Sequence, residues 1–157
     1  MHLRLEKRIN APADVVWQLL GREFDAIDEW ADFVKTSRPI SPDEVPAGLT
    51  AAPTAPVPGR ETMTKVKLVE VITAYDDAAR TLTFHGVGLP PVISVASDEQ
   101  SVRPDGATAS TVAFDITMGF RGPFVVLGPL MKRRMTKQFD GILDDLRRHA
   151  EATHAAA

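Results

Sequence analysis

The strongest constraint on this chain is its last quarter. There "GPFVVLGPLMKRRMTKQFDGILDDLRRHAEA" offers one long amphipathic helix after a run of β-rich text, with a break near Gly128-Pro129 and a frayed tail "THAAA". At 3.6 residues per turn Met131, Met135, Phe139, Ile142 and Leu146 form one stripe. No other element is long enough to cover the apolar face of a sheet. Gln138 falls near the centre of that stripe and Arg134 on its flank. Burying an unpaired amide costs about 1–3 kcal/mol, so the glutamine either finds a side-chain partner or faces something other than solid core.

The preceding text states what the helix must cover. "HLRLEKRI" alternates, with Leu3, Leu5 and Ile9 on one side and Lys7 breaking that face, the period of a half-buried strand. "NAPADVVWQLL" then predicts a helix start, with Pro12 in the first turn, Asp14 favourable to the dipole, and Val16, Leu19 and Leu20 as a buried stripe beside Trp17. A second short helix is expected in "REFDAIDEWADF", where Phe24, Ile27 and Trp30 stand at i, i+3 and i+6. The acids between them, Glu23, Asp25, Asp28, Glu29 and Asp32, read as a solvated face, because no histidine or glycine-containing calcium loop accompanies them. From Pro39 to Pro58 six prolines occur in twenty residues. This predicts an irregular, mobile loop at one edge of any cavity. Four β-rich runs follow, "RETMTKVKLVEVITAY", "RTLTFHGV", "VISVASDEQSV" and "STVAFDITMGF", separated by turn chemistry. They read as an antiparallel meander, the first run being long enough for two strands, or for one strand with a bend near Thr64–Lys67. The expected fold class is α+β, with six or seven antiparallel strands curved around the C-terminal helix and two short helices after strand 1, as a single domain over residues 1–157.

Composition removes several classes of function. A net charge of −3 gives no global attraction to phosphates, and the basic cluster Lys132-Arg133-Arg134 lies in a mixed-charge helix, so nucleic acid is not an expected partner. Without cysteine there are no thiolate metal sites and no disulfides. No signal-peptide pattern opens the chain and no apolar stretch approaches ~18 residues, so a cytoplasmic protein without stable membrane insertion is expected. Nucleophile elbow, phosphate loop and dinucleotide fingerprint are all missing from the text, and no cofactor or metal is expected.

In their order the local motifs resemble a known family. They are the strand-to-helix entry "INAPADVVWQLL", Trp30 after the second helix, Gly59-Arg60, Glu70 followed by Tyr75-Asp76-Asp77 and "RTLTF", then "GLPP" and the long terminal helix. Together they resemble the START-like, or SRPBCC, superfamily, and within it the polyketide cyclase/dehydrase and lipid-transport branch. The resemblance implies the helix-grip fold and a ligand cavity between the concave sheet and the terminal helix. It implies no single activity, since the fold hosts carriers, cyclases and dehydratases, and protein-binding domains.

Candidate site residues follow from these readings. Arg60 and Glu70, on neighbouring strands, would pair inside the concavity, where a buried ion pair is retained for recognition more readily than for stability. An adjacent guanidinium lowers a carboxyl pKa, which favours binding over acid–base work by Glu70. A mostly apolar pocket lined by Trp30, Phe84, Met118 and Met131 is expected, with Arg134 and Gln138 as polar anchors. His85 has the opposite parity to Leu82 and Phe84, and is expected on the surface. The leading function is binding of a hydrophobic small molecule, lipid or polyketide-like. The alternatives are a polyketide cyclase or dehydratase using Glu70, His85 or Tyr75, and a protein-binding domain. The last would need an exposed apolar patch, which the polar helix back of Arg133, Lys137, Asp140 and Asp144 does not supply.

Overall fold

In the computed structural model, which describes residues 1–157, seven strands form one antiparallel sheet. The strands are β1 (His2–Ile9), β2 (Thr36–Pro39), β3 (Gly59–Met63), β4 (Lys67–Asp76), β5 (Thr81–Val87), β6 (Ile93–Pro104) and β7 (Ser110–Phe120). Their order across the sheet is β1-β7-β6-β5-β4-β3-β2, so the meander is continuous and only β1 crosses over to join β7. The text between Arg60 and Tyr75 does hold two strands, with the turn at residues 64–66. Register shifts at Ile72/Ala74 in β4 and Ile93/Val95 in β6 are bulges, which bend the strands and coil the sheet.

Helix α1 (Ala13–Trp17) continues into a π-helical turn over Gln18–Arg22. The second short helix, Phe24–Glu29, is 3₁₀. It is kinked at Ala26 (φ −100°, ψ 28°) and stops before Trp30, yet Phe24, Ile27 and Trp30 are all buried. Helix α2 (Gly128–Ala155) follows a 3₁₀ turn at Gly122–Leu127 and runs just under one turn into the tail "THAAA", expected to fray. Its Ile142, Leu143, Leu146 and Ala150 are buried, while Met135 and Phe139 are only partly so. The sheet therefore grips the C-terminal half of α2 and leaves the N-terminal half raised. Lys7, the charge that interrupts the apolar face of β1, reaches up to α2, where its Nζ donates to Asp140 at 2.8 Å and Asp144 at 2.7 Å.

The segment from Pro39 to Pro58 is irregular apart from one 3₁₀ turn, Pro42–Glu44, but it does not border the cavity described below. Strand β4 is twice as long as β3, so the far part of its edge would be left unpaired. The loop closes it. Ala52 N–H donates to Ile72 O at 2.8 Å, Ile72 N–H to Pro58 O at 2.9 Å, and Thr54 Oγ1 to Tyr75 O at 3.0 Å. Ala52, Ala55 and Val57 pack against the main core. The edge strand β2, which the text does not signal, ends on Pro39, where the missing N–H matters least.

Candidate functional site

Apart from Lys7 on β1 and Ser110 at the start of β7, the polar residues of the concave face gather in one place. Along β3, β4 and β6 the inward positions Arg60, Thr62, Glu70, Asp98 and Gln100 are polar, and they share a cavity of about 120 Å³ with Leu20, Ile27, Trp30, Val34, Phe84, Phe114 and Ile142. Its rim carries exposed Phe33 and Gln138. Register places these polar groups side by side: Arg60 opposite Glu70 on β3 and β4, and Asp98 and Gln100 opposite Phe84 and Leu82 of β5.

Two linked pairs form the floor. Arg60 Nε donates to Glu70 Oε2 at 2.5 Å, and its Nη1 donates to the Phe24 carbonyl at 2.7 Å. The guanidinium lies 3.9 Å from the centroid of the Phe24 ring, a cation–π contact that adds to its anchoring. Gly59 makes this approach possible, since a Cβ there would stand 2.1 Å from the Glu70 carbonyl oxygen. Beside this pair, Gln100 Nε2 donates to Asp98 Oδ2 at 2.6 Å. Both residues are almost completely buried, and Asp98 Oδ1 has no protein partner. Burial pushes the Asp98 carboxyl from 3.8 up to about 7; the Gln100 hydrogen bond opposes this, the negative Glu70 adds to it and Arg60 opposes it. Trp30 also lines the cavity, and its Nε1 is likewise buried without a partner.

Of the residues singled out from the sequence, Trp30, Arg60, Glu70, Phe84 and Gln138 border the cavity. Met118, Met131 and Arg134 do not. Arg134 projects into solvent, and the two methionines belong to the raised end of the sheet–helix pair, beyond the cavity wall. Gln138 is itself exposed and makes no side-chain hydrogen bond, so the problem of a buried amide does not arise. The centre of the gripped stripe lies toward Ile142 and Leu146, which turns Gln138 to the rim. His85 points to the other face of the sheet, with Nδ1 3.1 Å from Thr73 Oγ1. Tyr75 stacks at 5.5 Å on Trp17, and its hydroxyl donates to Asp77, which also accepts from Trp17 and Arg22. The Tyr-Asp-Asp motif thus closes the outer hairpin over α1, and burial raises the Tyr75 hydroxyl to about 12. Asp98 and Gln100 belong to no motif in the sequence. Parity with Val102 on the same strand is the signal that puts both inside.

A family model described as polyketide cyclase / dehydrase and lipid transport matches residues 1–151. No curated protein matches the sequence closely enough to count as a relative. Among solved structures, the chain is similar to a START superfamily protein from Mycobacterium smegmatis, with 14% identity, TM-score 0.74, and coverage of 97% of this chain and 98% of that one. It is also similar to the Zhui aromatase/cyclase from Streptomyces sp. R1128, with 16% identity, TM-score 0.72, and coverage of 96% and 93%. For the di-domain aromatase/cyclase BexL of the BE-7585A biosynthetic pathway the identity is 16%, the TM-score 0.78, and the coverage 96% of this chain and 46% of that one. At these identities the likeness concerns the helix-grip fold.

Proposed function

The chain belongs to the polyketide cyclase/dehydrase and lipid-transport family, and on that premise we propose that it binds a small, mainly apolar molecule whose one polar group enters the cavity first. The observation that carries this reading is the pair of buried, unpartnered atoms, Trp30 Nε1 and Asp98 Oδ1, on two residues that line one cavity. Each costs about 1–3 kcal/mol while unsatisfied, which a correctly placed ligand group recovers. A carbonyl oxygen accepts from the indole N–H and from the protonated carboxyl; a hydroxyl accepts from the indole and donates to the carboxylate. At about 120 Å³ the space is close to the ~150 Å³ apolar cavity that holds a benzene ring, so one ring or a short chain fits. A longer molecule extends past Gln138 along the raised half of α2. Titration with phenol and toluene, followed by tryptophan fluorescence, tests the reading. Relative to wild type, Asp98→Leu is expected to shift the phenol-to-toluene affinity ratio roughly tenfold toward toluene, as loss of one hydrogen bond requires. An unchanged ratio sinks the proposal.

A second reading is favoured by the Asp98 carboxyl near 7, which suits it to proton transfer at neutral pH. In ring closure the carboxylate removes a proton from carbon, the carbanion adds to a carbonyl carbon, and the acid returns the proton to the resulting alkoxide; in dehydration it returns the proton to the hydroxyl that leaves as water. Glu70 is tied to Arg60, and His85 and Tyr75 lie outside the cavity, so Asp98 is the acid–base group of this reading. Turnover of a linear poly-β-ketone thioester, abolished in Asp98→Asn, is its test.

A further inference from the structure

We infer that the 3₁₀ turn before α2 and the raised, N-terminal half of α2 form a docking surface for an anionic lipid bilayer. Two independent features meet there. The first is apolar exposure: Phe124, Val125, Val126, Leu127 and Leu130 are all exposed, Val126 at 81%. The exposed apolar patch missing from the back of α2 is thus present one turn earlier in the chain. The second is charge. Eleven of the eighteen Lys and Arg side chains pair with a carboxylate, and of the seven that do not, five are Arg121, Lys132, Arg133, Arg134 and Lys137. No acidic residue occurs from Ile116 to Phe139. On a chain of net charge −3 whose other cations are mostly neutralised, this is a local positive field around an apolar tip.

The arrangement fits a bilayer better than a protein groove. Leu130, Arg133, Arg134 and Lys137 follow one another at i, i+3, i+4 and i+7 on one helix face, and the apolar side chains of the turn lie at the end of that face. An interfacial element needs an apolar edge to enter the acyl boundary and cations to meet the headgroups, without a complementary shape. Gly122, at φ 62°, and Pro123 set the turn off sharply from β7, so the apolar residues stand clear of the sheet. No helix is long and apolar enough to cross the membrane, and the contact is peripheral. From Leu130 to Gln138 is about 12 Å along the helix. A docked protein thus presents the cavity rim close to the lipid, although the surface itself does not depend on what the cavity holds.

The test uses the full chain without added ligand and large unilamellar vesicles, either phosphatidylcholine alone or with 30% phosphatidylglycerol, in a flotation assay at 0.1 and 0.5 M NaCl. Binding to the anionic vesicles is expected at 0.1 M salt, with little at 0.5 M and little on the neutral vesicles. Arg133→Gln with Lys137→Gln is expected to weaken it roughly 25-fold, at about fivefold per cation. Val126→Asp with Leu130→Asp is expected to abolish it while circular dichroism stays that of wild type, because both side chains are exposed. Phe124→Trp provides the depth readout, a blue shift in emission on anionic vesicles only. Failure to bind anionic vesicles, equal binding to both compositions, or wild-type binding by the aspartate variant overturns the inference. Concentration-dependent dimerisation that the same aspartates abolish, without vesicle binding, assigns the patch to a second copy of the chain and overturns it as well.

Discussion

Replacing Asp98 by asparagine should stabilise the protein, and by an amount that depends on pH in a fixed direction. In the unfolded chain this carboxyl ionises near its ordinary 3.8, whereas in the folded protein burial holds it to about 7. Below 3.8 both states keep the proton and the group has no net effect. Between the two values only the folded state keeps it, so stability falls as pH rises, and above 7 the whole cost of a buried carboxylate is present. At 1.36 kcal/mol per pH unit the interval is worth up to about 4 kcal/mol. Asparagine has the same shape, never ionises and still accepts from Gln100 Nε2. The variant should match wild type near pH 4 and exceed it by up to about 4 kcal/mol at pH 8.5. For a chain of this length that is a rise in Tm of roughly 8–16 °C. Urea unfolding of both proteins from pH 4 to 8.5 measures the difference. Exposed groups held low, such as Asp77 and Glu44 at about 2, titrate alike in both and cancel. A difference that stays flat with pH, or an asparagine variant less stable at pH 8.5, refutes the reasoning.

Arg60→Met removes the cation from a buried pair and leaves Glu70 and the Phe24 carbonyl without their donor, an expected loss of about 3–5 kcal/mol. Most of it should return in the double variant with Glu70→Leu, and chemical denaturation of the two proteins checks the pair. Gly59→Ala drives a methyl group into the Glu70 carbonyl, and should cost about 1–3 kcal/mol while parting β3 from β4 at the cavity floor, seen as faster amide exchange there. Gln138→Leu changes an exposed side chain without hydrogen bonds and should leave thermal stability within about 0.5 kcal/mol of wild type.

Much of the architecture was legible because it rests on local periodicity. Alternation in β1 and in the meander, the turn at residues 64–66, and the long stripe of α2 are properties of neighbours in the chain. Their order leaves the terminal helix as the cover for an antiparallel sheet. Parity alone placed His85 outside and Phe84 inside.

What tertiary structure decided was how far each periodic face is occupied. A stripe on α2 states a direction but not a contact length, and the curved sheet buries it fully only from about Ile142 onward, so Met131, Arg134 and Gln138 are raised or turned to the rim. The polar stretch of the floor depends on register between strands, which alternation within one strand does not state: Asp98 and Gln100 acquire meaning only when Phe84, Leu82 and Phe114 are set opposite them and the carboxyl is shut off from water. The proline-rich segment is irregular by composition, yet its place along the open edge of β4 follows from the unequal lengths of β3 and β4. Periodicity is local and survives in the text; burial is a sum over distant neighbours, and only the folded chain supplies it.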